Sequence, residues 1–144
     1  MLQRLQTLYL LAATGFMAAL CFTPMASYMA DGNEGSLVAF DFWWLVALFA
    51  LSALLPFVVI WLFRNRMLQV RLLCAELVLL VGSQIFSAWY AIGFTNNVEK
   101  VGDIVATTIH TPTFFPVVAA IFVLLAIRGI IKDERLVRSL DRIR

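Results

Sequence analysis

The chain has 144 residues, of which 62% are hydrophobic and 14% are charged, and its formal net charge is only +2. A soluble domain is about half apolar and a quarter charged, so the composition excludes that class and indicates an integral membrane protein. The small basic excess is no evidence for a nucleic-acid partner, because basic residues beside apolar segments serve topology and contact with anionic lipid.

Four apolar segments follow one another along the chain, at about residues 5–29, 42–63, 72–94 and 114–131. Each approaches or exceeds the roughly 20 residues that a helix needs to cross a hydrocarbon core of about 30 Å. Backbone polar groups must be paired within lipid, so continuous runs of this length predict helices and not the short alternating strands of a barrel. We therefore predict a single all-α domain, a bundle of four transmembrane helices.

The placement of charge predicts how this bundle is oriented. Ten of the eleven basic residues flank one side of the predicted spans: Arg4, Arg64, Arg66, Arg71, Arg128, Lys132, Arg135, Arg138, Arg142 and Arg144. The positive-inside rule assigns that side to the cytoplasm. Both termini are therefore predicted to be cytoplasmic, with anionic lipid at that face, and the longer loops at about 30–41 and 95–113 are predicted to lie outside.

The two outer loops have local patterns of their own. "SLVAFDF" at 36–42 and "DIVATTI" at 103–109 are candidates for short paired strands, with an interfacial helix as the alternative. Thr111 or Thr113 is expected to cap the fourth helix. His110, the one histidine, is predicted to be a surface or cap residue, because it cannot complete a haem or zinc site alone. We predict no metal, cofactor or catalytic residue.

The third span contains a stripe of polar side chains. At about 100° of rotation per residue, Ser83 and Ser87 fall close to the direction of Glu76, and Gln84 flanks them. Such a stripe either lines a path through the membrane or joins helices, and joining helices is the more common role. An ionisable group in a span needs a partner. We therefore predict that Glu76 contacts Arg128, which lies at a similar depth in the fourth span.

The C-terminal segment 132–144 is charged and predicts an amphipathic helix that continues the fourth span. Its apolar residues Leu136, Leu140 and Ile143 share one side, and Glu134 and Arg138 have the spacing of a helical salt bridge. The helix either lies on anionic head groups or docks on a protein partner or a second copy of the chain. The interleaved acidic residues favour protein contact slightly.

Both ends of the chain carry specific motifs, "MLQRLQTLYLLAA" and "KDERLVRSLDRIR". They resemble the opening and closing signatures of a family of small four-span membrane proteins of Bacteroidetes, the domain of unknown function 4293. The matching positions are Gln3, Arg4, Gln6, Thr7, Asp133, Glu134, Leu136, Val137, Arg138, Ser139, Asp141, Arg142 and Arg144. The resemblance implies a bacterial inner membrane, and it implies neither an activity nor binding residues.

Since the two signatures share the predicted cytoplasmic face, we expect them to form one contact surface. The candidate partner-contact residues are Gln3, Arg4, Gln6, Arg135, Leu136, Arg138, Asp141 and Arg142. The first functional hypothesis is a non-enzymatic accessory or scaffold subunit of a membrane complex. The alternative is a small homo-oligomeric transporter or channel that uses the polar stripe. A membrane enzyme or quinone-binding protein comes third, because the sequence contains no evident acid–base pair or ligand set.

Overall fold

The computed structural model describes residues 2–30, 33–62, 65–99 and 106–141, with side chains for 5–29, 34–62, 65–97 and 107–137. Its long helices are α1 (Leu2–Phe22), α2 (Trp43–Trp61), α3 (Arg66–Glu99) and α4 (Phe115–Asp141). Three short strands, β1 (Ala26–Ala30), β2 (Asn33–Leu37) and β3 (Ala106–Ile109), lie in the connecting segments. Within the described residues, four helices are long and apolar enough to cross a membrane, which confirms the predicted number of spans.

The four helices form a closed bundle in which each helix packs on two others. α1 lies against α2 and α4, and α3 lies against the same two helices. The buried residues of α2 are four and three positions apart along the helix: Leu45, Phe49, Ser52, Pro56 and Val59. This spacing is typical of bundles with a small left-handed crossing angle. The first turns of α1 and α3 and the last turns of α2 and α4 lie at one end, here called the basic end.

The outer surface of the bundle is apolar, as expected of helices that face lipid. Val78 is 73% exposed and Ile85 is 60% exposed, although both lie in the middle of α3. Trp43 and Trp89 are exposed near the other end, here called the sheet end, where an aromatic belt is expected at a membrane interface. Trp44 packs inward on Tyr90, with the ring centroids 5.2 Å apart.

Two of the helices, α1 and α3, differ clearly in length from their predicted spans. α1 ends at Phe22, before the predicted end at residue 29, because Pro24 has no N–H with which to continue the helix. α3 begins before the predicted start at residue 72 and has 34 residues, which corresponds to a length of about 51 Å. This length exceeds the roughly 30 Å of a hydrocarbon core, and the last turns of α3 reach the strand β1.

The three strands form a small antiparallel sheet in the order β2-β1-β3. Its central strand β1 lies within residues that were assigned to the first span, so the predicted end of that span is wrong, whereas β3 lies within the predicted strand segment 103–109. The predicted strand 36–42 is a strand only at its start, where β2 ends at Leu37, and it contains a 3₁₀ turn at Ala39–Asp41, where Asp41 Oδ2 accepts a hydrogen bond from the Val38 N–H at 2.9 Å. The last turns of α3 support the sheet, because Phe94 packs against Tyr28 with ring centroids 5.9 Å apart.

The backbone of Met25 connects the sheet to the bundle. Its N–H donates to the Leu37 carbonyl at 2.8 Å, and its carbonyl accepts from the His110 N–H at 2.8 Å. The same carbonyl accepts from Thr113 Oγ1 at 2.8 Å, so Thr113 does not cap α4 as predicted. His110 holds the N-cap position of the 3₁₀ turn Thr111–Phe114, and its Nε2 lies 2.8 Å from Ser27 Oγ. The polar side chains of this region therefore fasten the sheet to the start of α4.

We predict that Thr113→Val lowers the free energy of unfolding by about 1 kcal/mol, the usual net contribution of one hydrogen bond. Valine keeps the shape of threonine but cannot donate to Met25. Thr111→Val is the matched control, because Thr111 is exposed. Chemical denaturation in detergent micelles compares the two variants, and an equal effect of both substitutions would contradict the assigned role of Thr113.

Candidate functional site

A partly buried hydrogen bond joins the first turns of α1 to the last turns of α4. Gln6 Nε2 in α1 donates to Asp133 Oδ2 in α4 at 2.8 Å, and both residues belong to the end motifs. Gly129 lies one turn before Asp133, and a Cβ there would come within 3.0 Å of Gln6 Cγ. The glycine therefore allows the close approach of α1 and α4, the most extensively packed helix pair of the bundle. As expected, the two motifs meet at one end of the molecule.

A small polar cavity lies behind this hydrogen bond, where all four helices meet. It has a volume of about 40 Å³ and is lined by Gln6, Thr7, Leu10, Ile60, Arg66, Gln69, Ile130 and Asp133. Arg66 Nη1 is buried without a hydrogen-bond partner in the described part of the chain, whereas Gln69 Nε2 donates to the Val59 carbonyl at 3.0 Å. At roughly 10–15 Å³ for each water, the cavity suits a few water molecules and is too small for a metabolite.

The serines of the α3 stripe are used in contacts between elements. Ser83 Oγ lies 3.4 Å from Ser52 Oγ of α2. Ser87 Oγ donates to the Thr113 carbonyl at 3.2 Å, next to α4, and also contacts the Gln84 carbonyl at 3.0 Å. Both serines are fully buried. These hydroxyls therefore join helices, which is the more common role of such a stripe.

Glu76 has a different environment from these serines. The residue is fully buried, and neither carboxylate oxygen has a hydrogen-bond partner among the described residues. Arg128 is exposed on α4. The predicted contact between Glu76 and Arg128 is therefore wrong. Arg128 is two residues from the buried Ala126, or about 200° around the helix, so its side chain points away from the bundle interior in which Glu76 lies.

The buried face of α3 extends beyond the stripe that the sequence suggested. Gln69, Glu76 and Ser83 recur at intervals of seven residues, and Leu73 and Leu80 lie between them. Gln69 was missed as a candidate because it precedes the predicted span. Extending the seven-residue interval backwards from Ser83 and Glu76 would have found it. Gln84 lies beside this face, and its buried Oε1 has no hydrogen-bond partner in the described part of the chain.

The candidate partner-contact residues that the structure describes lie at the basic end, on the first turns of α1 and the last turns of α4. Gln6 is partly buried by its bond to Asp133, whereas Arg135 and Leu136 are exposed. Gln3 and Arg4 belong to α1 and Arg138 and Asp141 belong to α4, but their side chains lie outside the described part. Arg142 lies outside the described residues altogether.

We predict that Gly129→Ala stabilises the protein less than a comparable glycine substitution elsewhere. The added methyl group would press on Gln6 and weaken its hydrogen bond, whereas Gly82→Ala, with nothing within 4 Å of the new Cβ, should gain up to about 1 kcal/mol from helix propensity. Unfolding in micelles measures both variants. In a Gln6→Ala background the difference between them should disappear. A difference that persists there would show that Gln6 is not the cause.

A comparison with protein families gives a match over nearly the whole chain. The family model described as Domain of unknown function (DUF4293) matches residues 2–143, and so includes both end motifs, all four long helices and the sheet. No curated protein matches the chain at a significant level. This match over nearly the whole length shows that the chain belongs to the DUF4293 family.

Proposed function

We propose that the protein is an accessory or scaffold subunit of a membrane-protein complex in a bacterial inner membrane. Its partner would bind at the basic end, on the first turns of α1 and the last turns of α4. The observation that carries this proposal is the hydrogen bond between Gln6 and Asp133. It joins the two end motifs of the family into one surface, while α4 continues past Asp133 as far as Asp141.

The last turns of α4 have the properties of a docking element. α4 is a single helix of 27 residues, so its end is held in a defined direction by the part packed in the bundle. Leu136 is 50% exposed and Val137 is 46% exposed among charged residues. Apolar side chains on a charged helix are typical of helices that bind in a groove of a partner protein. A contact of this kind would bury Leu136 and Val137.

The polar groups inside the bundle support a structural role for the membrane part. Gln69, Ser83 and Ser87 each form a hydrogen bond that links two elements. Buried polar pairs of this type position helices in a membrane, where apolar packing alone is poorly directional. The bundle would then serve as a rigid anchor for the basic end.

The distribution of charge supports a cytoplasmic location for the proposed contact surface. Among the described residues, Arg71, Arg128 and Lys132 lie toward the basic end, while the acidic Glu34 and Asp41 lie at the sheet end. Under the positive-inside rule the basic end faces the cytoplasm. Partners would accordingly be cytoplasmic domains or the cytoplasmic ends of other membrane helices.

We predict that replacing residues 138–144 by a glycine–serine linker of equal length abolishes recovery of a stoichiometric partner. The replacement leaves the span and the bond between Gln6 and Asp133 in place, but it removes the end of the docking helix. Purification from native membranes in mild detergent, with mass determination, compares it with the parent chain. Substitution of Glu34 by Gln at the sheet end is the control and should retain the partner. A lone species of unchanged mass in all three samples would contradict the proposal.

Glu76 favours a second candidate function, a homo-oligomeric transporter or channel. Its carboxyl group is fully buried without a hydrogen-bond partner in the described part of the chain. Ionisable groups inside membrane spans often mark the route of an ion or proton. A path along α3 would require neighbouring copies, because the serines beside Glu76 are used in contacts within one bundle.

For the accessory subunit we predict that Glu76→Gln leaves partner recovery and oligomer mass unchanged. Proteoliposomes of the parent chain should show no ion or proton flux above that of protein-free vesicles. Glutamine preserves the size of the side chain and removes its ability to ionise. A flux that Glu76→Gln abolishes and that Ser83→Ala leaves intact would favour transport instead.

A further inference from the structure

We propose that one face of α4 near the basic end binds an anionic phospholipid. The face borders an open groove of about 690 Å³, lined by Leu124, Ile127, Arg128, Ile131, Lys132 and Arg135. Its three cations are all exposed. The apolar residues and the cations follow one another along α4, in the order of the acyl chains and the head group of a lipid.

The register of α4 brings the three cations together. At about 100° per residue, Arg128, Lys132 and Arg135 lie within roughly 60° of one another, and Arg128 and Arg135 are about 10 Å apart along the axis. Leu124 precedes Arg128 by one turn and lies on the same side, deeper in the span. A phospholipid whose phosphate lies near the cations would therefore have its acyl chains beside Leu124 and Ile127.

The two acidic residues of this region point away from the face. Asp133 is turned toward α1, where it accepts the hydrogen bond from Gln6. Glu134 lies on the other side, in a groove shared with Met67 and Val70 of α3. In the sequence these two acidic residues lie next to each other between Lys132 and Arg135. In the structure neither acidic residue lines the face with Arg128 and Lys132, whereas Arg135 lies at its border and also lines the groove of Glu134.

A lipid is the occupant that fits this position. The groove belongs to the candidate span Thr111–Val137, and it continues an outward surface on which Ile121 and Leu125 are exposed. Long basic side chains near the end of a span extend toward the phosphates, and guanidinium groups bind them through paired hydrogen bonds. The site requires only this chain, so it is independent of the proposed partner at the tail.

The test titrates the purified full-length chain in mild detergent with phosphatidylglycerol or with phosphatidylcholine of identical acyl chains, and counts bound lipids by native mass spectrometry. The parent should prefer phosphatidylglycerol. Lys132→Gln should weaken that binding about fivefold, which corresponds to the roughly 1 kcal/mol contributed by one basic residue near an anionic surface. Arg71→Gln removes an equal charge from an exposed position on α3 outside the groove, and should change the affinity less than about twofold.

Several outcomes would contradict the proposed lipid-binding site. Equal losses for Lys132→Gln and Arg71→Gln would show a diffuse attraction, and equal binding of both lipids by the parent would show no charge selectivity. Competition by soluble glycerol phosphate at concentrations equal to those of the lipid would indicate a site for a free anion. If the parent chain forms a dimer or binds another protein, and Lys132→Gln disrupts that association, the face binds a macromolecule and not a lipid. Arg128→Gln provides a second variant, and thermal unfolding of each variant verifies its fold.

Discussion

The need to pair backbone polar groups in an apolar medium governs this architecture. Four continuous helices meet that requirement internally, and the chain leaves helical structure mainly at the ends of the bundle. Where α1 stops before Pro24, the Met25 backbone is satisfied by Leu37, His110 and Thr113. These contacts place the sheet over the bundle and set the position from which α4 begins. The direction of α4 then determines where the C-terminal segment emerges.

The buried face of α3 combines packing with polar attachment. Leu73 and Leu80 fill the interior, while Gln69 and Ser83 provide hydrogen bonds to α2. Glu76 is the exception, since both of its oxygens lack hydrogen-bond partners in the described part of the chain. A fully buried carboxyl group without a hydrogen-bond partner lowers the stability of the folded protein. It therefore separates the two candidate functions: the scaffold needs no ionisable group at this position, and a transporter does.

Three chemically distinct surfaces meet at the basic end. Toward α1, Asp133 is used in the junction with Gln6. On its outward side, α4 presents Arg128 and Lys132 beside apolar residues. Beyond the bundle, Leu136 and Val137 remain exposed. One helix can thus pack on its neighbour, bind the membrane and present an end to a partner, because successive residues point in different directions. The proposed lipid would also hold α4 at a constant depth.

Length, hydropathy and charge placement were enough to predict the four spans and the placement of both end motifs together, because these properties depend on the order of residues along the chain. The same information placed Ser83, Ser87 and Glu76 on one side of α3. The partners of these residues depended on tertiary structure. The positions of the two residues in their spans predicted Arg128 as the partner of Glu76. The orientation of α4 about its own axis instead turns Arg128 outward. The strand β1 was hidden in an apolar run, and although β2 follows it directly, its other pairing partner β3 is distant in sequence. Only the packing of the helices decided which polar groups meet, because it sets the direction in which each residue points.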